Sequence, residues 1–490
     1  MNPVPVIDLF AGPGGLNEGF SSLQGDHGPE FKTVASFEMD SSAHATLVLR
    51  TALRHLAADL GHFPEEYYSM LRTEMPYSEF AEIPHVAQAM KHAASEVHQI
   101  VLGPSTQKES DGLIETALAA TLGNDEPWVL IGGPPCQAYS LAGRSRRKGD
   151  PTFADDKKHL LYREYLHIIR KFRPTIFVME NVKGMLSSQH DGGGIFKRIM
   201  DDLRGPQGDA GYDVYSLAAT AGAELQPKDF IIRSELYGIP QKRHRVILLG
   251  VLRGSRLSAP LQLTPVPSVS VGDAIGDLPP IRSRLNPRSA DSERSWAAQR
   301  LIARSWAGKT ASMPRKVPPE GGPFLSGYVP KLPAGSLADW LLDDRIGGVT
   351  LHESRRHMAA DLVRYGYLAA RASAEKRSPR LSDLPPELLP EHRNAAIPDA
   401  PFNDRFRVQM SHEPSTTVVS HIAKDGHYYI HFDSNQMRSL SVREAARLQT
   451  FPDNYFFMGT RTQQYHQVGN AVPPLLARAL ADVVAGVLGI

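Results

Sequence analysis

The segment Trp128 to Ser140, WVLIGGPPCQAYS, limits the possible folds more than any other stretch of the chain. Four apolar residues, Trp128 to Ile131, stop at two glycines and two prolines, which reads as a buried strand that ends abruptly in a loop. Consecutive prolines supply no ladder hydrogen bonds, so Cys136, which follows them, is not a mid-strand core residue. Its thiol then sits at a strand's carboxyl end, where open α/β sheets place their ligands. A lone cysteine is commonly a small buried hydrophobe; the two prolines argue against that here. Cys136 is the only cysteine in 490 residues, which excludes an intrachain disulfide and a Cys-rich zinc site.

Other segments repeat the pattern of an apolar run cut off by glycine or charge. Val4 to Phe10 runs into Ala11-Gly12-Pro13-Gly14-Gly15, and Leu16 to Leu23 can start a helix. Strand, glycine turn and helix let backbone N–H groups approach a nucleotide-like ligand; the turn alone is compatible with NAD, FAD, S-adenosylmethionine or no ligand. Thr33 to Phe37 reads as a second strand ended by Glu38, an acid placed to accept hydrogen bonds from two ribose hydroxyls. Thr175 to Met179 is a further buried run, closed by Glu180-Asn181-Val182. Gln241, Arg243 and Arg245 lead into the apolar strand that ends at Gly250. His159 to Phe172 has Leu161, Tyr165, Ile168 and Ile169 on one side of a helix that packs on a sheet. Residues 41–127 are helix-rich.

The length exceeds what one core organises, so two domains are expected; 41% hydrophobic and 22% charged residues are ordinary for globular protein. The start of the chain has no leader pattern, and no run approaches the ~20 apolar residues that span a bilayer, so a cytoplasmic protein is expected. Net charge is only +1, yet residues 281–380 carry 18 Lys and Arg against 9 Asp and Glu. Clustered positive charge suits phosphate contacts. Seven histidines lie between 352 and 431 without cysteine or compact ligand spacing, which predicts exposed or DNA-facing side chains and no metal.

GGPPCQAYS resembles the Pro-Cys nucleophile motif of the DNA cytosine-5 methyltransferases, and DLFAGPGG resembles that family's cofactor motif. Glu180-Asn181-Val182, PQKRHR at 240–245, SVREAARLQTFPDNY at 441–455 and QVGNAVPP at 467–474 follow in family order. The resemblance covers these six motifs and Glu38, on roughly half the chain. It implies a Rossmann-like S-adenosylmethionine-dependent α/β sheet with helices on both faces, plus a smaller inserted target-recognition domain. The catalytic domain would be 1–255, with a helical insertion at about 41–127; recognition would fall to 256–435, and 436–490 would return to the catalytic domain.

The same resemblance implies residue roles. Cys136, Glu180, Arg243 and Arg245 would be catalytic. Phe10, Ala11, Gly12, Gly14, Gly15, Glu38, Met39, Pro135, Leu161, Asn470 and Val472 would line the S-adenosylmethionine site. Gln137, Ser140, Arg144, Arg146, Arg147 and Lys148 would contact DNA. A thiolate is nucleophilic enough to add to an electron-poor ring carbon and stable enough to leave. The implied reaction flips a cytosine out of duplex DNA, adds Cys136 to C6 while Glu180 holds N3, methylates C5 and eliminates the thiolate. A bacterial, nucleoid-associated monomer is implied, with double-stranded DNA as substrate and a cognate restriction endonuclease acting separately. The chain departs from the family where a Gly-Asp pair contacts adenine: Val101-Leu102-Gly103-Pro104 lacks the acid, leaving Asp111 or Glu115 as substitutes or as surface charges. Two other readings stay open: an RNA cytosine-5 methyltransferase and a catalytically inactive DNA-binding protein on the same fold.

Overall fold

The computed structural model describes residues 2–123, 126–135, 161–187, 189–190, 193–205, 211–219, 225–308, 317–391 and 405–490. Its centre is an eight-stranded sheet of β1 (Val4–Leu9), β2 (Phe31–Glu38), β3 (Val97–Gln99), β4 (Val129–Gly132), β5 (Ile176–Val182), β6 (Tyr212–Tyr215), β7 (Ile231–Arg233) and β8 (His244–Leu252). The spatial order is β6-β8-β5-β4-β1-β2-β3, with β7 also pairing β8. The five strands β3, β2, β1, β4 and β5 are parallel, and β8 runs antiparallel to β5, β6 and β7. Short apolar runs form its centre because side chains on both faces are covered. Ile7, Leu9, Leu130, Phe177 and Met179 face one core, while Val6, Val129, Ile131, Ile176 and Val178 face the other.

Helices α1 (Gly15–Ser21), α2 (Ser41–Leu60), α3 (Glu65–Leu71), α4 (Tyr77–Glu82), α5 (Pro84–Glu96), α6 (Gln107–Thr121), α7 (Leu161–Phe172) and α8 (Ile195–Arg204) belong to this half. On one face, α6, α7 and α8 contribute Ile114, Tyr165, Ile168, Ile169 and Ile199 to the core. On the other, Phe20 of α1 and Leu480 and Val484 of the C-terminal helix pack together. A Cβ at Gly19 would lie 2.4 Å from Ala477 Cβ, so the two helices touch backbone to side chain. The helical reading of residues 41–127 misses β3, which follows α5 without a linker.

A second body holds α9 (Val271–Ile275), α10 (Glu293–Ala307), α11 (Ser336–Leu341), α12 (Ala359–Glu375) and the paired strands Gly322–Ser326 and Gly348–His352. It shares a core with α13 (Val442–Leu448) and α14 (Arg461–Asn470), beyond which α15 (Pro474–Leu488) returns to the sheet. The segment Arg461–Leu488 contains an 18-residue window of mean hydropathy 1.6, but it is divided between α14 and α15 at residues 471–473. Its best window is 67% buried, and its apolarity is explained by α15 forming part of the sheet's core.

The sequence predicts exposed histidines at 352–431, and this is wrong for His352, His357, His427 and His431, all of which are buried. They are structural. His352 accepts from the Ser441 hydroxyl at Nδ1 and donates from Nε2 to Pro279 O, 2.8 and 2.9 Å. All seven residues of helix α13 are buried. Ser441 and Glu444 form a capping box, while the Glu444 carboxylate takes two bonds of 2.6 Å from Arg438. Arg447 pairs with Asp453 and Asp277. Several cations of 281–380 are paired with acids of the same stretch: Arg282 and Arg284 with Glu320, Arg356 with Asp291, and Arg364 with Asp361.

Burial holds His352 and His431 down to about 4, with the Arg438 charge acting in the same direction on both and Glu444 opposing it. An unfolded histidine binds its proton near pH 6.5, so stability is full above that value and falls as pH drops toward 4. We expect urea unfolding at about pH 5 to show a loss of about 2 kcal/mol per histidine relative to pH 7. His352→Gln should reduce that difference; an unchanged difference would contradict this reading.

Candidate active site

Strand register sets the site. Leu9 lies beside Phe37 on one side and Gly132 on the other, and Gly132 lies beside Met179. The residues just beyond this row, Phe10, Glu38, Gly133 and Glu180, therefore share one carboxyl edge of the sheet. The strand order reverses between β1 and β4, which is where an open α/β sheet leaves its ligand crevice.

The glycine turn forms one half of the crevice. Ala11 N donates to Phe37 O and Gly12 N to Glu38 Oε2, 3.0 and 2.7 Å, while Asp40 N donates to Glu38 Oε1, 2.7 Å. Burial raises the Glu38 carboxyl despite these donors. Gly14 has φ 93°, and a Cβ there would lie 2.6 Å from Leu47 Cδ1. A Cβ on Gly15 would lie 2.2 Å from Val472 O, so the 470–472 segment closes directly over the turn. Within this half Met39 is 60% exposed, Phe10, Pro135 and Leu161 are half-buried, and Asn470 is exposed with its amide against His466.

The turn is held from behind. Tyr455, fully buried, donates its hydroxyl to Pro13 O. The Arg50 guanidinium lies 4.8 Å from the Tyr455 ring centre and pairs with Glu18, as does Arg54 at 2.6 Å. Burial alone would raise the Glu18 carboxyl; the two arginines outweigh it and hold it down to about 2. Arg50 also donates to Asn454 Oδ1, and Asn454 Nδ2 donates to Asp343 of the second body, 3.1 and 2.7 Å.

Sequence reasoning passed over Asp8. It is fully buried in β1, and among the described residues neither carboxylate oxygen has a hydrogen-bond partner. Burial, with Glu38 nearby, pushes its carboxyl well above the usual range. The available signal was a charge inside the otherwise apolar run VPVIDLF. Gln99 was also missed, because β3 was. It pairs with Glu38 in the parallel ladder and is exposed at the same edge. Asp111 and Glu115 are not substitutes for the missing acid: Asp111 binds His167 and Lys171 of α7, and Glu115 binds Lys171.

The other half of the crevice lies over β4 and β5. Glu180 sits within β5, and its Oε2 is 3.1 Å from where a Gly133 Cβ would be. Arg245 Nε meets Glu180 Oε1 at 2.8 Å. Asn181 Nδ2 donates to Pro134 O at 3.1 Å, which ties the Gly-Gly-Pro-Pro segment to β5. Arg243 is 2% exposed and donates to Val418 O at 2.8 Å. Burial and Arg245 lower its guanidinium to about 9. The expectation placed it among the reacting groups; the structure shows its side chain bonded to the main chain at Val418. Cys136, Gln137, Ser140, Arg144, Arg146, Arg147 and Lys148 lie outside the described residues.

Residues 90–485 match the family described as C-5 cytosine-specific DNA methylase. Type II methyltransferase M.Bpa9945I of Bacillus paralicheniformis is 33% identical, covering 98% of this chain and 99% of its own length. Type II methyltransferase M.AgeI of Thalassovita gelatinovora is 29% identical over 73% of this chain and 82% of its own. A prophage-encoded DNA modification methyltransferase from E. coli superposes with a TM-score of 0.55 at 18% identity, covering 99% of this chain and 100% of that one.

Two outcomes follow from this geometry. Asp8→Asn should raise the thermal midpoint of the ligand-free protein near pH 8 and have little effect near pH 4. A carboxyl raised by folding costs stability only above its ordinary value, 3.8. Equal gains at both pH values would contradict this. Tyr455→Phe should lower stability by about 1–3 kcal/mol in urea unfolding, because Pro13 O loses its buried donor; a neutral change would show that the bond does not hold the turn.

Proposed function

The chain belongs to the C-5 cytosine-specific DNA methylase family, and we propose how its crevice carries out cytosine methylation with S-adenosylmethionine as donor. The observation that carries the reading is that one sheet edge brings together a Glu38-bound glycine turn and a carboxylate clamped by an arginine.

The residues present fit S-adenosylmethionine. Glu38 retains lone pairs for ribose hydroxyls, Gly12, Gly14 and Gly15 allow close backbone approach, and Phe10 and Met39 offer apolar surface for a base. The unpartnered carboxyl of Asp8 lies beneath a site that receives a cation. Gln99 takes the place of the missing acid, since a side-chain amide both donates to and accepts from an adenine edge. When bound, S-adenosylmethionine supplies the methyl group.

In the proposed mechanism, Glu180 shares a proton with cytosine N3, and Arg245 fixes the carboxyl group for that contact. Withdrawal of electrons through N3 lets the Cys136 thiolate form a bond to C6, and the electron pair displaced from the C5–C6 double bond makes C5 nucleophilic. After C5 has gained the methyl group it loses its proton to a base or water, and expulsion of the thiolate restores the ring. Arg243 holds the Arg245 segment in place without touching the base.

We also propose that residues 1–255 with 436–490 form the catalytic unit and that 256–435 reads duplex DNA as part of a monomer. Exposed Arg288, Arg294 and Arg304 are suited to phosphates, and Gln137, Ser140, Arg144, Arg146, Arg147 and Lys148 would clamp the strand around the flipped base. A bacterial restriction-modification setting fits the Type II relatives, with the cognate endonuclease a separate protein and the chromosome in the cytoplasm as substrate.

The test is methylation sequencing of DNA from a methylation-free bacterial host. The wild type should place 5-methylcytosine at one short motif, Cys136→Ser should leave none, and the variant should still bind S-adenosylmethionine in calorimetry. Glu180→Gln should lower kcat by about 100-fold or more. A marked genome with Cys136→Ser would overturn the nucleophile, and no mark with soluble wild type would overturn the substrate.

A further inference from the structure

We infer that the helical segment outside the crevice holds a divalent transition-metal site formed by His55, His92 and Glu96. His55 lies on α2, and His92 and Glu96 are one turn apart on α5, so both α5 side chains face the same neighbour. His55 Nε2 is 2.8 Å from Glu96 Oε2, and His92 Nε2 is 3.6 Å from Glu96 Oε1. One ligand atom from each of the three lies within 4.8 Å of the other two. Zinc bound at about 2.0–2.1 Å in tetrahedral geometry needs donors about 3.3 Å apart, so binding draws the three donors together by little more than an ångström.

The donor chemistry selects the metal. Two imidazoles and one carboxylate suit Zn2+, Ni2+ or Cu2+, whereas Mg2+ and Ca2+ prefer all-oxygen shells. The two imidazole rings are stacked, with centres 4.2 Å apart and planes 13° from parallel. His55 and Glu96 are mostly buried, at 20% and 14% side-chain exposure, while His92 at 57% leaves one side open to water. Three protein donors and a water complete a four-coordinate shell.

The site's position gives it a consequence for the fold. Asp40 caps α2 two residues after Glu38, and Glu96 directly precedes β3, whose Gln99 pairs with Glu38. A metal joining α2 to α5 therefore staples the two connections that lead to and from the β2–β3 edge. This role does not depend on methyl transfer.

The experiment uses the full chain, stripped with chelator and titrated with ZnCl2 by calorimetry, alongside His55→Ala and His92→Ala. His92 is exposed enough that its replacement leaves the fold intact. We expect one site of micromolar affinity, weakened at least about tenfold in both variants, with a zinc-dependent rise in thermal midpoint that both variants lose. MgCl2 should produce no saturable heat. Co2+ should give the visible absorption of a tetrahedral nitrogen and oxygen field, absent in the variants. The same zinc affinity in wild type and both variants would overturn the assignment, as would no saturable binding below about 100 µM.

Discussion

The bond from Tyr455 to Pro13 O closes the chain on itself, and the crevice depends on that closure. A glycine turn has little intrinsic preference for one shape. Here it is fixed on three sides: Glu38 accepts from Gly12, Val472 O meets Gly15, and Tyr455 takes Pro13. Two of those three contacts come from the last fifty residues. The buried Glu18–Arg50 pair, joined by the partly exposed Arg54, backs the Tyr455 ring, which makes the support stiff and intolerant of losing one partner.

The same connection links the two bodies. Asn454, next to Tyr455, joins Arg50 on one side and Asp343 on the other. Arg443 reaches Thr350, Pro452 and Tyr455 backbone oxygens from inside α13. Buried arginines at 438, 443 and 447 contribute register more than net stability, because desolvation offsets most of their Coulomb energy. A helix whose charges all point into the protein fixes one docking arrangement of the inserted body on the sheet.

The ends of β1, β2 and β4 were readable because each stops at a residue that does not continue it: Gly12 to Gly15, Glu38, and Gly133 to Pro135; Glu180, read as closing its strand, lies inside β5, which runs on to Val182. The Ser441–Glu444 capping box was readable for the same reason, since its spacing is local. What could not be read depends on partners distant in sequence. Three residues of β3 carry no periodicity of their own and follow a helix directly. The burial of His352 and His431 is decided by Ser441 and Arg438, and the internal pairing of Arg282 and Arg356 by Glu320 and Asp291. Asp8 was visible as a charge in an apolar run, but only the structure shows that it has no partner. Arg243 carries the same charge as Arg245 two residues on, and only the structure shows that one bonds to Val418 O and the other pairs with Glu180.

The central claim is that the glycine-turn half and the Glu180 half of the crevice act on one and the same cytosine. Intact-mass measurement of the protein incubated with S-adenosylmethionine and duplex DNA carrying 5-fluorocytosine tests it most directly. Fluorine cannot leave C5 as a proton does, so a base attacked by the thiol and methylated stays attached. We expect a covalent adduct that includes the added methyl group and maps by proteolysis to the peptide containing Cys136. An adduct at another residue, or none under conditions where ordinary cytosine in the same sequence is methylated, would contradict it.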